Sequence, residues 1–182
     1  MLETEVKLRL VDAAAFRSLL IEHRWKPGPQ IFERNTVLDT PREELLNSQR
    51  LLRIRQIDAR AVVTVKLPAA YSGPHKVRQE HQFETGDVEQ ARQVFLSLGY
   101  EPAWIYEKRR TTFRKDGENG IIEVDVTPIG DFAEMEGEAG WIDRTAQALG
   151  FSKADYVLDT YRGLFEAWLE RTGSDVKHMT FD

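Results

Sequence analysis

The chain contains no cysteine. That absence excludes a disulfide framework, thiolate zinc sites and a thiol nucleophile together. No apolar run approaches the roughly 18 residues a membrane span needs, and the first residues lack the basic-then-apolar order of a signal peptide. A cytoplasmic protein with no membrane partner is expected. Basic excess is missing too: 25 lysines and arginines stand against 30 aspartates and glutamates, a formal net charge of −5. General affinity for duplex nucleic acid is therefore not expected. The four histidines, His23, His75, His81 and His178, show no metal-binding spacing and read as surface or packing residues.

What is present is charge. Charged residues make up 30% of the 182-residue chain, above the ~25% usual for soluble domains. The length suits one domain, placed at 1–171, with a loose C-terminal tail or flap at 172–182. Residues 3–10 read ETEVKLRL. On an extended strand Glu3, Glu5, Lys7 and Arg9 share one face, while Thr4, Val6, Leu8 and Leu10 share the other.

Asp12 is placed to cap a helix carrying Phe16, Leu19 and Leu20 at helical spacing, which KPGPQ should end. Strands are expected near 31–39, 50–57 and 61–67, the last two forming a hairpin through Asp58, Ala59 and Arg60, and PAAYSGPH reads as a loop. PREELLN at 41–47 reads as a short surface helix. The second half repeats the order: a strand in KVRQEHQFE, a helix from Asp87 to Gly99, then strands near 103–115, 120–127 and 131–138. Helices near 140–149 and 158–171 follow. About eight strands joined largely by hairpins imply an α+β protein built on a closed or nearly closed antiparallel sheet.

The strands share a peculiarity. Arg53 and Arg55 fall on one face, as do Thr64 and Lys66, Arg78 and Glu80, Tyr106 with Lys108 and Arg110, Glu123 and Asp125, and Glu134 and Glu136. A wetted sheet face does better with threonine and mixed signs, because like charges crowded together repel. Repeated acid–acid and base–base pairs require a third party: cations for the acids and a multiply charged anion for the bases. Four amphipathic helices suffice to cover a barrel, which leaves the charged faces around a lumen, where charges must be matched or coordinated. An eight-stranded barrel has room for one small ligand. The competing arrangement, a sandwich with wetted faces, requires those strands to be exposed. Trp25, Trp104, Trp141 and Trp168 read as outer-core packing.

These residues resemble the CYTH domain family, also called triphosphate tunnel metalloenzymes, which includes class IV (CyaB-like) adenylate cyclases, thiamine triphosphatases and inorganic triphosphatases. ETEVK at 3–7 looks like the family's ExExK signature. NTVLD at 35–39, LRIR at 52–55, TVK at 64–66, EKRR at 107–110, EVDV at 123–126, GDFAEME at 130–136 and TYRGLF at 160–165 follow in the family's order. The resemblance implies an eight-stranded antiparallel β-barrel, the triphosphate tunnel, with a charged lumen and helices outside. It implies Glu3, Glu5, Glu134 and Glu136 as ligands of Mg²⁺ or Mn²⁺, with Asp125 near the metal. Lys7, Arg53, Arg55, Lys66, Lys108 and Arg110 correspond to the triphosphate grip, joined by Arg78; Lys7, Lys66, Arg110 and Asp125 are the candidates for catalysis. A C-terminal lysine serves some members, and Lys153 and Lys177 are the candidates here. Val37 and Leu38 depart from the family, which often has an aromatic pair there, and Thr160 stands in place of a serine.

The expected function is metal-dependent hydrolysis of inorganic or organic triphosphates, by a monomer or homodimer acting on a small-molecule substrate. The alternatives are an adenylate cyclase making cyclic AMP and pyrophosphate from ATP, and a non-catalytic module that holds polyphosphate or phosphorylated RNA ends.

Overall fold

The computed structural model describes residues 2–181. In chain order the elements are β1 (Leu2–Leu10), α1 (Ala13–Glu22), β2 (Lys26–Asp39), α2 (Glu44–Asn47), β3 (Leu51–Ile57), β4 (Arg60–Lys66), β5 (Ala70–Ser72), β6 (His75–Thr85), α3 (Val88–Ser97), β7 (Glu101–Arg114), β8 (Ile121–Thr127), β9 (Gly130–Glu136), α4 (Ala139–Ala148), β10 (Tyr156–Val157) and α5 (Tyr161–Thr172). The sheet order is β10-β1-β9-β8-β7-β2-β3-β4-β6-β5, and β1 also pairs with β6. That last pairing closes an eight-stranded antiparallel barrel, with β5 and β10 as additional strands outside the ring. Exchanging the two halves of the chain, β1 to β4 for β6 to β9, leaves the ring order unchanged, so the repeated strand–helix–three-strand order has a topological counterpart.

Period-two alternation decides which face is covered. Val6, Leu8 and Leu10 point out of the ring and pack with Phe16 and Leu20 of α1 and Trp141, Ile142 and Ala146 of α4. Leu52, Ile54 and Val63 lie under Val88, Ala91 and Phe95 of α3. Leu8 and Ile142 are fully buried, each contributing about 2 kcal/mol from apolar burial. Asp12 caps α1 by accepting from the Ala14 and Ala15 amides at 2.7 and 3.1 Å, and Asp87 caps α3 by accepting from the Gln90 amide at 2.8 Å. None of the described helices is long and apolar enough to cross a membrane.

Three local expectations need correction. KPGPQ does not end the helix; α1 stops where Arg24 turns left-handed at φ 67°, and Lys26 already opens β2. Its prolines supply no N–H to a ladder, and the register against β7 accordingly slips between Pro27 and Gln30. PAAYSGPH is not all loop, because Ala70–Ser72 pairs back onto β6 across a turn with Gly73 at φ 61°. The tail is not loose. Met179 forms a parallel bridge to Tyr106, exchanges backbone hydrogen bonds with Ile105 and Glu107 at 3.0 and 2.8 Å, and is 1% exposed. Beyond the reach of β8, the β7 edge is left open for it.

Met179→Ala should lower the unfolding free energy by about 2 kcal/mol, measured by urea denaturation, because it empties a buried methionine site. A tail that merely hangs from the barrel would give no change.

Candidate active site

The same alternation that turns leucines outward turns charge inward. Cross-strand register then fixes the neighbours: Lys7 lies opposite Glu134, Glu5 opposite both Glu136 and Lys76, Glu3 opposite Arg78, Lys66 opposite Glu80, and Arg110 opposite Asp125. Glu33 lies opposite Lys108 and Asn35 opposite Arg55. All of these side chains except Glu33, Asn35 and Asp125 line a cavity of about 630 Å³. Every residue expected at the site lines it except Asp125. Lys153 and Lys177 do not. Lys153 instead meets Asp143 at 2.8 Å on the outside, where Asp143 also bonds His75 and Tyr156.

Asp125 is fully buried behind the cavity wall. Its oxygens accept from Arg110 Nε at 2.7 Å, Arg110 Nη2 at 2.6 Å, Lys108 Nζ at 2.9 Å and Tyr161 Oη at 2.6 Å. Burial pushes its carboxyl up, but Arg110 and Lys108 outweigh that and hold it below its ordinary value. Asp125, expected near the metal, is therefore already supplied with four donor contacts. Its place suits it to aim Arg110 and Lys108, which continue to Glu134. Glu134 itself meets Lys7 at 3.0 Å, and Lys7, Lys108 and Arg110 hold it well below the usual carboxylate range against the opposing effect of burial.

A second cluster lies beside it on β2, β3 and β7, joined to the first through Lys108. Glu33, 1% exposed, lies 3.3 Å from Arg55 and 3.7 Å from Lys108. Burial raises its carboxyl, but Lys108 and Arg55 outweigh it and bring the value down to about 2. Asn35 accepts from Arg55 at 3.1 Å, and Arg53 donates to Tyr106 Oη at 2.9 Å. Three buried donors here, Asn35 Nδ2, Arg53 Nε and Trp104 Nε1, have no hydrogen-bond partner, an uncommon state for buried polar groups.

The remaining acids are the uneasy ones. Lys66 meets Glu3 at 2.6 Å and Glu80 at 2.7 Å, and Lys76 meets Glu5 at 2.7 Å. Glu136 has no ion pair among the described residues. Burial, with repulsion from Glu123 and Glu5, pushes its carboxyl up to about 7. Burial likewise raises Glu3 to about 7, helped by Glu5, despite the attraction of Lys66. Carboxylate oxygens are the donors that Mg²⁺ and Mn²⁺ prefer, and crowded carboxyls held back from ionising fit a divalent cation in donor chemistry. Among the described residues no three such groups are already gathered closely enough to hold an ion; lysines stand between Glu3, Glu5 and Glu134.

Sequence parity located most of this wall but missed parts of it. Lys76 lines the cavity with Arg78 and Glu80, and Glu33, two residues before Asn35, is buried behind it beside Arg55 and Lys108; the i, i+2 spacing carries both signals. Trp104 is not outer packing. Two residues before Tyr106, it turns inward, lines the cavity and stacks on Tyr106 with ring centroids 4.8 Å apart. Tyr161, from α5, had no strand periodicity to announce it. Trp25 and Trp141 do pack edge to face outside the ring at 5.9 Å.

The chain thus forms a closed eight-stranded antiparallel barrel whose inward acids and bases surround one cavity. The CYTH domain sequence profile matches residues 1–161, and the chain belongs to that family. A Methanocaldococcus jannaschii protein provisionally named an adenylate cyclase is 27% identical over 136 residues, 75% of this chain and 77% of that protein. Among solved structures, a Vibrio parahaemolyticus protein with a provisional adenylate cyclase name superposes with a TM-score of 0.76 at 20% identity, covering 91% of this chain and 98% of that one. A Hippeastrum protein with a provisional adenylyl cyclase name, described as having a dominant triphosphatase activity, superposes with a TM-score of 0.72 at 20% identity, covering 91% of this chain and 95% of that one. At these identities the structures establish the shared fold.

The raised carboxyls set a pH dependence. In the unfolded chain Glu3 and Glu136 ionise near 4.5, whereas in the fold they ionise at about 7. The native state therefore binds more protons across that window. The stability these groups contribute is fully present below pH 4.5 and is lost as pH rises through about 7. Metal-free protein should show a falling melting temperature across this range, and Glu136→Gln should fall less steeply. Parallel melting curves for the two proteins would contradict the assignment.

Proposed function

We propose that the chain hydrolyses triphosphate compounds with the help of Mg²⁺ or Mn²⁺. The observation that carries this reading is the convergence of Lys7, Arg53, Arg55, Lys66, Arg78, Lys108 and Arg110 on the cavity that Glu3, Glu5, Glu134 and Glu136 also line. Bases alone would suffice to hold an anion; uneasy acids beside them suit a cation–polyphosphate complex. Glu3, Glu5, Glu134 and Glu136 would hold the cation, which when bound would neutralise phosphate charge and polarise a P–O bond.

The chain's own groups do the rest. Phosphoryl transfer asks mainly for positioning and for charge stabilisation over the phosphoryl oxygens. Arg110 and Lys108, fixed by Asp125, present donors that need not reorganise during the reaction, and Lys7 and Lys66 exchange their carboxylate partners for phosphate oxygens. Water adds to the terminal phosphorus, the bond to its bridging oxygen breaks, and orthophosphate leaves. Adenylate cyclisation is the second reading, favoured by the name of the Methanocaldococcus jannaschii relative. It would use the same wall, with a ribose hydroxyl attacking the α-phosphorus and pyrophosphate leaving.

Ion-exchange analysis of products from inorganic triphosphate and ATP separates these outcomes. Metal-dependent orthophosphate release is expected, reduced about 10²-fold or more in Glu136→Gln while a non-hydrolysable triphosphate analogue still binds. Cyclic AMP with pyrophosphate would select the cyclase reading. Binding without any turnover in the unsubstituted protein would leave only a holding role.

A further inference from the structure

A strand that runs past the end of its neighbour presents unpaired backbone groups, and such an edge recruits another strand unless it is blocked. Ring strands do this here where β1 passes β6, β2 passes β3, β6 passes β1 and β7 passes β8. The chain closes all but one of these overhangs itself. β10 pairs with Lys7 and Leu8 of β1, Met179 bridges to Tyr106 of β7, and Pro27 and Pro29 stand in the β2 overhang, where proline offers no N–H. Residues 81–85 of β6 are the exception. They pair with β4 on one side and, among the described residues, with no strand on the other.

This overhang reads HQFET. It contains neither proline nor lysine, the usual edge blockers, and His81, Gln82, Phe83 and Glu84 are all exposed, Phe83 by 58%. Its hydrogen-bonding direction is set by the Leu67 amide, which donates to the Gln79 carbonyl at 3.0 Å in the same register that puts Val65 opposite His81 and Val63 opposite Phe83. Backbone bonding alternates along an antiparallel pair, so His81, Phe83 and Thr85 bond to β4 while Gln82 and Glu84 turn their N–H and C=O groups to the bare side. Side chains alternate as well. Phe83 shares the outer face with Val63, and Gln82 lines the cavity.

We infer that a second copy of the chain covers this edge, overhang to overhang, in an antiparallel ladder about a two-fold axis. Such an axis keeps each face of the sheet on its own side and joins bonding positions to bonding positions, which leaves few registers. One centred on Gln82 or Glu84 sets glutamate against glutamate, and one centred on His81 runs into β1, whose Leu2 already holds Gln79. The register centred on Phe83 has neither fault. It pairs Gln82 with Glu84 of the partner subunit through both backbone bonds and sets the two Phe83 side chains together on the outer face, where each copy alone leaves its ring in water. The length fits too, because residues 81–85 of the partner subunit end just before the place where β1 begins. The inference is independent of the catalytic reading and selects a homodimer over a monomer.

Sedimentation equilibrium of the full chain, from about 1 µM to about 500 µM, tests it. The mass should rise from one chain to two, and Glu84→Pro should weaken the dimer at least about tenfold, because it removes an N–H from the bare side and none from the β4 ladder. A sequence without cysteine permits a sharper check. Phe83→Cys should give a disulfide-linked dimer under mild oxidation, since Cα atoms about 4.5 Å apart across the axis fall within the disulfide range of roughly 4.4–6.8 Å. His81→Cys, set off from the axis, should link at least about tenfold less. A chain that stays monomeric throughout overturns the inference, as does a dimer that Glu84→Pro leaves at full strength and that links no better through position 83 than through position 81. Should Glu84→Pro lower the melting temperature, the comparison of Phe83→Cys with His81→Cys decides alone.

Discussion

Asp125 sits fully buried on β8 with donors from Arg110, Lys108 and Tyr161 around it. A lone ionised carboxylate there would be very costly, so the acid obliges the chain to bring bases to it. Two of those bases come from β7, and the tyrosine brings the first turn of α5 against the barrel. Arg110 and Lys108 then reach on to Glu134 of β9, which engages Lys7 of β1. One buried charge thereby ties four strands and a helix together and presents its bases to the cavity already oriented.

The rest of the lumen extends the same bargain. Glu3, Glu5, Glu33, Glu80, Glu123, Asp125, Glu134 and Glu136 face Lys7, Arg53, Arg55, Lys66, Lys76, Arg78, Lys108 and Arg110, so acids and bases inside the ring match in number. Such an interior contributes little net stability compared with apolar packing. Most of the apolar packing lies outside instead, between the strands' other faces and helices α1, α3 and α4, while α5 sets Tyr161 and Phe165 against Trp104, Tyr106 and Phe132. Separating the two jobs lets the inner wall exchange its internal ion pairs for a ligand's charges without loosening the core. Glu136 and Glu3 mark where that wall is least content with its own partners.

Much of this was legible in the sequence because a strand has period two. Once ETEVK, LRIR and EVDV are read as alternating, the apolar sets demand cover and the charged sets must meet; closure follows from there being enough strands and helices. What escaped was whatever lacks period two. Tyr161 reaches the lumen from a helix, and Met179 is buried because β7 outruns β8, a difference in strand length that composition does not express. KPGPQ misled because proline and glycine usually punctuate, yet a slipped register accommodates them at the start of a long strand. Trp104 reads as outer packing by its aromatic ring, yet its place two residues before Tyr106 turns it toward the cavity.

On the function proposed above, cation and polyphosphate enter this lumen as one charged complex, each completing the other's site. Calorimetric titration of a non-hydrolysable triphosphate analogue, with and without Mg²⁺, measures that linkage. Linked binding predicts affinity at least about tenfold higher with the cation present, a coupling of about 1.4 kcal/mol. Equal affinity in both conditions would mean that the acids take no part in holding the ligand, and would contradict linked binding.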